Sequence, residues 1–388
     1  LKQSSITTTG NITKAAAPGS GLRPAVTVIN NLAKTYEMVL SNDYLPKLSS
    51  PCEYGTVSYS LRGTYLTDGY KDTVQAEVVE ENSQYKLKLT VPAVDYDKVS
   101  SVGTIDVRVT SDNYRDFYLT IGVKTKNKDV PVPDGPISAS DITYGQALND
   151  SKIAGKMKAG GKAIDGTFTW TDGTIKPDAN DNYEAEWTFT PAEGYEEYAT
   201  ATGTVTIKVN KATPTFNAPT AQENLTYTGQ EQALITAGSV TSGGTMQYSL
   251  TENGTYSQNI PTGTDAGAYT VWYRVIGDAN HNDTAPASVA VRIGQKPLTI
   301  TGVTAASKPY DGTTNAGITN VTFDGVNLNR GTDYTVAASF DDAGVGNVKN
   351  VTATVTLMEQ TAKNYALEQS SFNTTGSITK AAVPDFTK

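Results

Sequence analysis

Apolar and polar residues alternate one by one along much of this chain. Val205, Ile207 and Val209 alternate with Thr206 and Lys208. Tyr269, Val271, Tyr273 and Val275 alternate with Thr270, Trp272 and Arg274. Val351, Ala353, Val355 and Leu357 alternate with threonines, and Tyr85, Leu87, Leu89 and Val91 with Lys86, Lys88 and Thr90. Successive side chains of a strand point to opposite faces, so each run predicts a strand with one buried and one solvated side, as in antiparallel sheets. The polar stretches TSDNYRD, TPAEGYEEY, GDANHND and EQTAKNY read as hairpin connections between such strands. Helical periodicity is absent, apart from Gln146–Met157 (QALNDSKIAGKM), where one short helix is expected, interrupted by Gly155. The expected fold class is all-β (β-rich): an elongated string of small β-sandwich or β-grasp-like modules with little helix.

The strands recur with a period. Polar junctions end at Pro18, Pro131, Pro214, Pro297 and Pro384, at intervals of 113, 83, 83 and 87 residues. Tyr144, Tyr227 and Tyr310 each lie thirteen residues after a junction proline, and each is followed by Gly within two positions. Fixed periods of this size signal tandem modules. The expected organisation is a divergent Ig-like β module at 19–131, then modules at 132–214, 215–297 and 298–384, with 385–388 as a tail. Residues 1–18 (LKQSSITTTGNITKAAAP) match 367–384 (LEQSSFNTTGSITKAAVP) at thirteen of eighteen positions, offset by 366. They read as the closing strand and junction of a truncated upstream module, either hanging free or pairing with a sheet edge or another copy of the chain.

Composition narrows the function. The net charge of −9 is spread thinly, and nucleic-acid binding needs clustered Lys and Arg. No apolar stretch approaches the length that crosses a membrane. No signal peptide opens the chain, which carries little weight if residue 1 is a cut point. The single cysteine, Cys52, excludes an intramolecular disulfide, and a secreted protein avoids a lone reactive thiol, so Cys52 is expected to be buried.

SKPYDGTTNA (307–316), GTDYTVAASFDDAGVGNV, Lys363-Asn364-Tyr365 and TTGSITKA together resemble the YDG-type repeat of large bacterial surface proteins. LTYTGQEQAL, GTMQYSL, IPTGTDAGAYTVWYRV and GDANHND in 215–297 resemble the MBG-type (mostly β-grasp) repeats of the same proteins. Module 132–214 shares that style through ITYGQAL, GTFTW and its closing hairpin, and 19–131 shares only the closing hairpin. The resemblance implies extracellular, cell-surface arrays, wall-attached or secreted, acting as adhesins or stalks, with no catalytic residue to carry over. LPKLS at 45–49 lacks the Thr-Gly of an LPxTG sorting signal.

Candidate chemistry is sparse. The only histidine, His281, sits in Asp278-Ala-Asn280-His281-Asn282-Asp283, dense in oxygen ligands, but zinc normally takes several His or Cys, and a polar hairpin loop is the simpler reading. Asp178, Asn180 and Asp181, or Asp341-Asp342, could offer oxygens to calcium, yet neither has EF-hand spacing and both suit β-turns. The pairs Glu184/Glu186 and Glu196/Glu197 could be read as glycosidase acids, but such acids are common on polar strand faces and in loops. An isopeptide bond would need Lys, Asn and an acid buried together, and the junction lysines lie too near module ends to be nominated. Trp187 alternates with Ala185 and Phe189 and reads as core, with Trp170 in the same module. Trp272 alternates with Thr270 and Arg274 and reads as exposed, making it the one weak candidate for ligand binding, for example to a sugar ring. No catalytic, cofactor or metal residue is nominated. The expected function is a non-enzymatic structural or adhesive stalk that contacts neighbouring modules. The alternative is a module binding host or environmental glycan or protein, with 19–131 as its head.

Overall fold

A computed structural model of the chain describes residues 12–17, 21–96 and 98–382. Strands dominate it, and among the described residues the one α-helix is Glu359–Asn364. The chain forms two compact units. The first takes residues up to Ile142 with 147–176 and 182–208. The second takes 143–146, 177–181 and the chain from Val209 onward.

In the first unit, Ala25–Ile29, Phe117–Lys126, Ser101–Ser111 and Val57–Leu66 form one sheet in that order. Ala25–Ile29 runs parallel to its neighbour, and the other pairings are antiparallel. Lys34–Leu40, Gln84–Val91 and Gln75–Glu81 form a second, antiparallel sheet. Val28, Val107 and Ile121 from one sheet meet Leu40, Leu87 and Leu89 from the other in a single core. This is the sandwich arrangement that two half-apolar sheets require.

Further along, and for most of its length in the same unit, Gly166–Trp170 pairs antiparallel with Asn180–Pro191, in a register that sets Trp170 opposite Trp187, and Ala201–Asn210 follows in the sheet. Trp170, Trp187, Phe189 and Ile207 are buried, and the Trp170 indole N–H donates to Ser151 O at 3.0 Å. Trp187 is therefore core, as its alternation implied. The helix expected at Gln146–Met157 does not form. A single 3-10 turn, Leu148–Asp150, gives way to the short strands Ile153–Ala154 and Met157–Ala159. Asp150 accepts from the Ala147 N–H and closes the turn, and Ile153–Ala154 then pairs with Ser138–Ala139. Local capping and strand pairing outcompete a helix that Gly155 already weakens.

In the second unit, Gly244–Ser249, Gly267–Gly277 and Ala287–Ile293 form an antiparallel sheet over Leu234, Ile235, Val271 and Val275. Beyond it, Lys308–Pro309, Ser371–Thr379, Gly346–Leu357 and Tyr334–Phe340 form a four-stranded sheet over Leu298, Phe323, Val351 and Ala353. Val351, Ala353 and Val355 are buried while Thr352, Thr354 and Thr356 are exposed, and Val205, Ile207 and Val209 follow the same rule. Three of the polar stretches are hairpin connections as read. EQTAKNY is not a plain loop: it holds the helix Glu359–Asn364, and Tyr365–Leu367 pairs with Lys296–Leu298 before the chain rejoins the sheet.

Candidate functional site

The four polar loops hold one arrangement in common. Each carries an aromatic residue, Tyr114, Tyr198, His281 or Tyr365, spaced 84, 83 and 84 residues apart. Against each runs a junction segment in a parallel bridge: Ala15 on Tyr114, Asp129 on Tyr198, Ala212 on His281, and Lys296 on Tyr365. In the first three, the bridging residue's N–H donates to the residue before the aromatic, and its carbonyl accepts from the residue after it. For Ala15 the distances are 3.0 Å to Asn113 O and 2.8 Å from Arg115 N, and for Ala212 they are 2.9 Å to Asn280 O and 2.9 Å from Asn282 N. The side chain just before the bridging residue also recurs. Lys14, Lys211 and Gln295 donate to the carbonyls of Ser111, Asp278 and Ala362, each three residues before its aromatic, at 2.6, 3.3 and 2.6 Å.

Two further elements complete the arrangement in the second unit. The first is the periodic tyrosine. The N–H groups of Tyr144, Tyr227 and Tyr310 donate to Asn210 O, Gly294 O and Thr379 O at 2.8, 2.9 and 2.8 Å, which pins each beside the end of a closing strand. Tyr144 then meets His281 edge-on with ring centres 5.3 Å apart, and Tyr227 meets Tyr365 in the same way at 5.3 Å. Such edge contacts are a favoured aromatic geometry. Burial, and then the Tyr227 ring beside it, push the Tyr365 hydroxyl pKa up, consistent with a partly dry contact.

The second element is an Asp-Ala pair that grips the asparagine before the aromatic. The Ala179 N–H donates to Asn280 Oδ1 at 2.9 Å, while Asn280 Nδ2 donates to Asp178 Oδ1 at 2.9 Å. The Ala266 N–H donates to Asn364 Oδ1 at 2.8 Å, while Asn364 Nδ2 donates to Asp265 Oδ1 at 3.1 Å. Lys363, and then Asn364, hold the Asp265 carboxyl pKa below its usual range. An asparagine satisfies such a pair because its side chain carries both an acceptor and donors.

The sequence-nominated residues fall into place around this arrangement. His281 is buried, with Nδ1 2.7 Å from Asp278 Oδ1, and it stands where the other three loops carry tyrosine. Asp178 belongs to the Asp-Ala pair. Asp342 holds Lys349 Nζ at 2.6 Å, with Asp341 3.6 Å from the same nitrogen, so a lysine supplies the cation there. Glu184 and Glu186 are exposed on one strand. Glu196 accepts from the Gly194 N–H, and Glu197 pairs with Lys34 at 3.5 Å, so these two acids turn to different partners. Among the described residues, no three His, Cys, Asp or Glu side chains gather as a metal site. Trp272 is half-buried, in register between Ser249 and Ser288. Cys52 is exposed, not buried as expected. Its N–H closes a turn on Ser49 O in the loop before Val57–Leu66, where Leu45 supplies the buried apolar side chain and leaves the thiol outside. Among the described residues, no helix is long and apolar enough to cross a membrane.

The Tyr310-Asp311-Gly312 triplet forms a turn. Asp311 Oδ1 accepts from Lys308 Nζ at 2.8 Å and from the Thr313 N–H at 2.9 Å, and Gly312 takes φ +73. Lys308, then Thr313, lower the Asp311 pKa to about 2. A left-handed φ next to an Asx turn explains why Asp and Gly are adjacent.

No curated protein matches this chain. Similar solved structures include protocadherin gamma B2 extracellular cadherin domains 3-6, at 12% identity over 96% of this chain and 99% of that one, with a TM-score of 0.26. N-cadherin EC1-4 of Drosophila is similar at 11% identity over 95% and 100%, with a TM-score of 0.25. The human desmocollin-1 ectodomain is similar at 11% identity over 93% and 80%, with a TM-score of 0.21. Residues 294–372, which contain the Tyr310-Asp311-Gly312 turn, match the family model of the YDG domain.

Proposed function

We propose that this chain is a non-enzymatic structural and adhesive segment of a bacterial cell-surface protein: a stalk of tandem β modules at 19–131, 132–214, 215–297 and 298–384. In this reading 19–131 is Ig-like, the next two modules are MBG-like and the last is YDG-like. The observation that carries the reading is the coupling repeated at Tyr114, Tyr198, His281 and Tyr365, each built from backbone hydrogen bonds to a junction segment. A coupling that recurs with the module period sets the spacing and stiffness that a stalk needs. Neighbouring modules are then the first partners, the location is extracellular, and neither nucleic acid, cofactor nor membrane insertion enters. Small-angle scattering tests this. Four modules in a row span roughly 120 Å, against about 55 Å for one compact globule, by the size scaling of folded domains. A maximum dimension near the smaller value overturns the stalk.

One observation favours a second role for 19–131. An open, shallow depression of about 890 Å³ lies there, lined by Asn42, Leu45, Lys47, Cys52, Tyr54 and Thr56, in the module that breaks the period. Concave sites of this size take small ligands, so 19–131 is the head for a glycan or host protein in this reading, with Trp272 as a separate weak contact. A glycan array probed with the full chain tests it, and no binding to any glycan overturns the glycan form.

A further inference from the structure

The couplings at Tyr144–His281 and Tyr227–Tyr365 share four parts: a periodic tyrosine pinned to a closing strand, an Asp-Ala pair, a junction segment, and an incoming loop with Asn before an aromatic. The first three parts are assembled once more, beyond the last coupling. The Tyr310 N–H is pinned on Thr379 O. Ile378 pairs with Lys308 on one side and Gly346 on the other, so Tyr310 and the Asp342-Ala343 turn flank the end of the same strand. The strand runs on into Lys380-Ala381. Here the tyrosine is 48% exposed, whereas Tyr144 and Tyr227 are half-buried. Val345 and Val348, at the start of the strand on the other side of Ser371–Thr379, are 49% and 78% exposed.

We infer that this end of the 298–384 segment is a docking face for an Asn-aromatic hairpin, and that its occupant is the Asn113-Tyr114-Arg115 loop of a further 19–131-type module. The choice of loop comes from the chain's own start. Ile12-Thr13-Lys14-Ala15-Ala16 recurs as Ile378-Thr379-Lys380-Ala381-Ala382. The first copy already lies on that loop, with Ala15 bonded to Asn113 and Arg115 and Lys14 bonded to Ser111. Ala381 and Lys380 make the same bonds to the incoming loop, Tyr310 meets its Tyr114 edge-on, and Asn113 takes the place of Asn280 and Asn364 opposite Ala343. The inference goes beyond the stalk reading, which needs modules in a row but names no face.

The test extends the full chain by repeating residues 19–131 after Pro384, which reproduces the Lys-Ala-Ala-x-Pro-Gly run that leads into residue 19. Amide exchange of Ala343 and Ala381 is compared with the unextended chain. Docking slows both by about tenfold or more, as expected when amides gain acceptors and lose contact with water. Tyr114→Ala in the appended copy alone restores fast exchange at both sites while the strands of that copy stay protected. Unchanged exchange in the extended chain overturns the inference, whether or not the appended copy folds. Protection that survives Tyr114→Ala overturns it too. The scattering span is a separate readout, so a failed dock leaves the stalk standing and a short span does not excuse a failed dock.

Discussion

Tyr144 and His281 meet edge-on, ring centres 5.3 Å apart and planes at 73°, though they stand 137 positions apart in sequence. His281 is held for this contact by Asp278 and by the parallel bridge from Ala212. The chain's one histidine is thus a packing residue. Replacing it with alanine removes a buried ring and leaves Tyr144 uncovered. The expected loss is on the order of 2 kcal/mol, the usual range for losing a buried aromatic contact and its hydrogen bond. Chemical denaturation followed through tyrosine fluorescence measures it. A variant as stable as the parent contradicts the role assigned to His281.

Asn364→Ala removes the acceptor of the Ala266 N–H, and Ala266 is only 4% exposed. A buried donor left without a partner costs about 1–3 kcal/mol. Faster exchange at the Ala266 amide, with strands Gly346–Leu357 and Tyr334–Phe340 still protected, is the expected local signature. Unaltered exchange there means that another group satisfies the amide.

Acid exposes the Asp311 turn. The Asp311 carboxyl ordinarily titrates at 3.8, and in the folded chain its pKa falls to about 2 because Lys308 and Thr313 favour the ionised form. A depressed folded pKa stabilises the fold above the unfolded value and loses that contribution as pH falls through the folded one. The turn therefore weakens between about pH 4 and pH 2. Asp311→Asn should flatten the part of the stability curve in that window, and an unchanged acid limb would refute the assignment.

Cys52 is open to solvent, so a maleimide reagent should label it to completion under native conditions at a rate close to that of the unfolded chain. Labelling that requires denaturant would contradict the exposed position.

The sheets were legible because alternation speaks directly about burial. Leu87, Leu89, Val205, Ile207 and Val351 needed only the rule that side chains change face at each step. The beat of Tyr144, Tyr227 and Tyr310 was legible too, but not its purpose, since the partners lie on loops well over a hundred residues downstream and alternation describes one strand at a time. His281 reads in sequence as part of a polar hairpin loop, because a lone imidazole weighed only against metal sites gives no hint of a packing role. Aligned with NYR, EEY and KNY from the other loops, it becomes the fourth aromatic of a series. The helix at Glu359–Asn364 was missed because EQTAKN lacks apolar periodicity, and its neighbours Tyr365 and Lys296 hold it in place. Cys52 was misjudged because a general avoidance of free thiols says nothing about which loop residue faces inward, and here that residue is Leu45.

The bridge from the junction segment to the loop runs through main-chain groups, which every residue type supplies, while in the second unit the asparagine and the paired rings select the loop. Such a connector asks for only a short signature on each side of it. On the proposed module reading, recombination at the junction prolines would add, remove or reorder units without a new interface having to be invented each time.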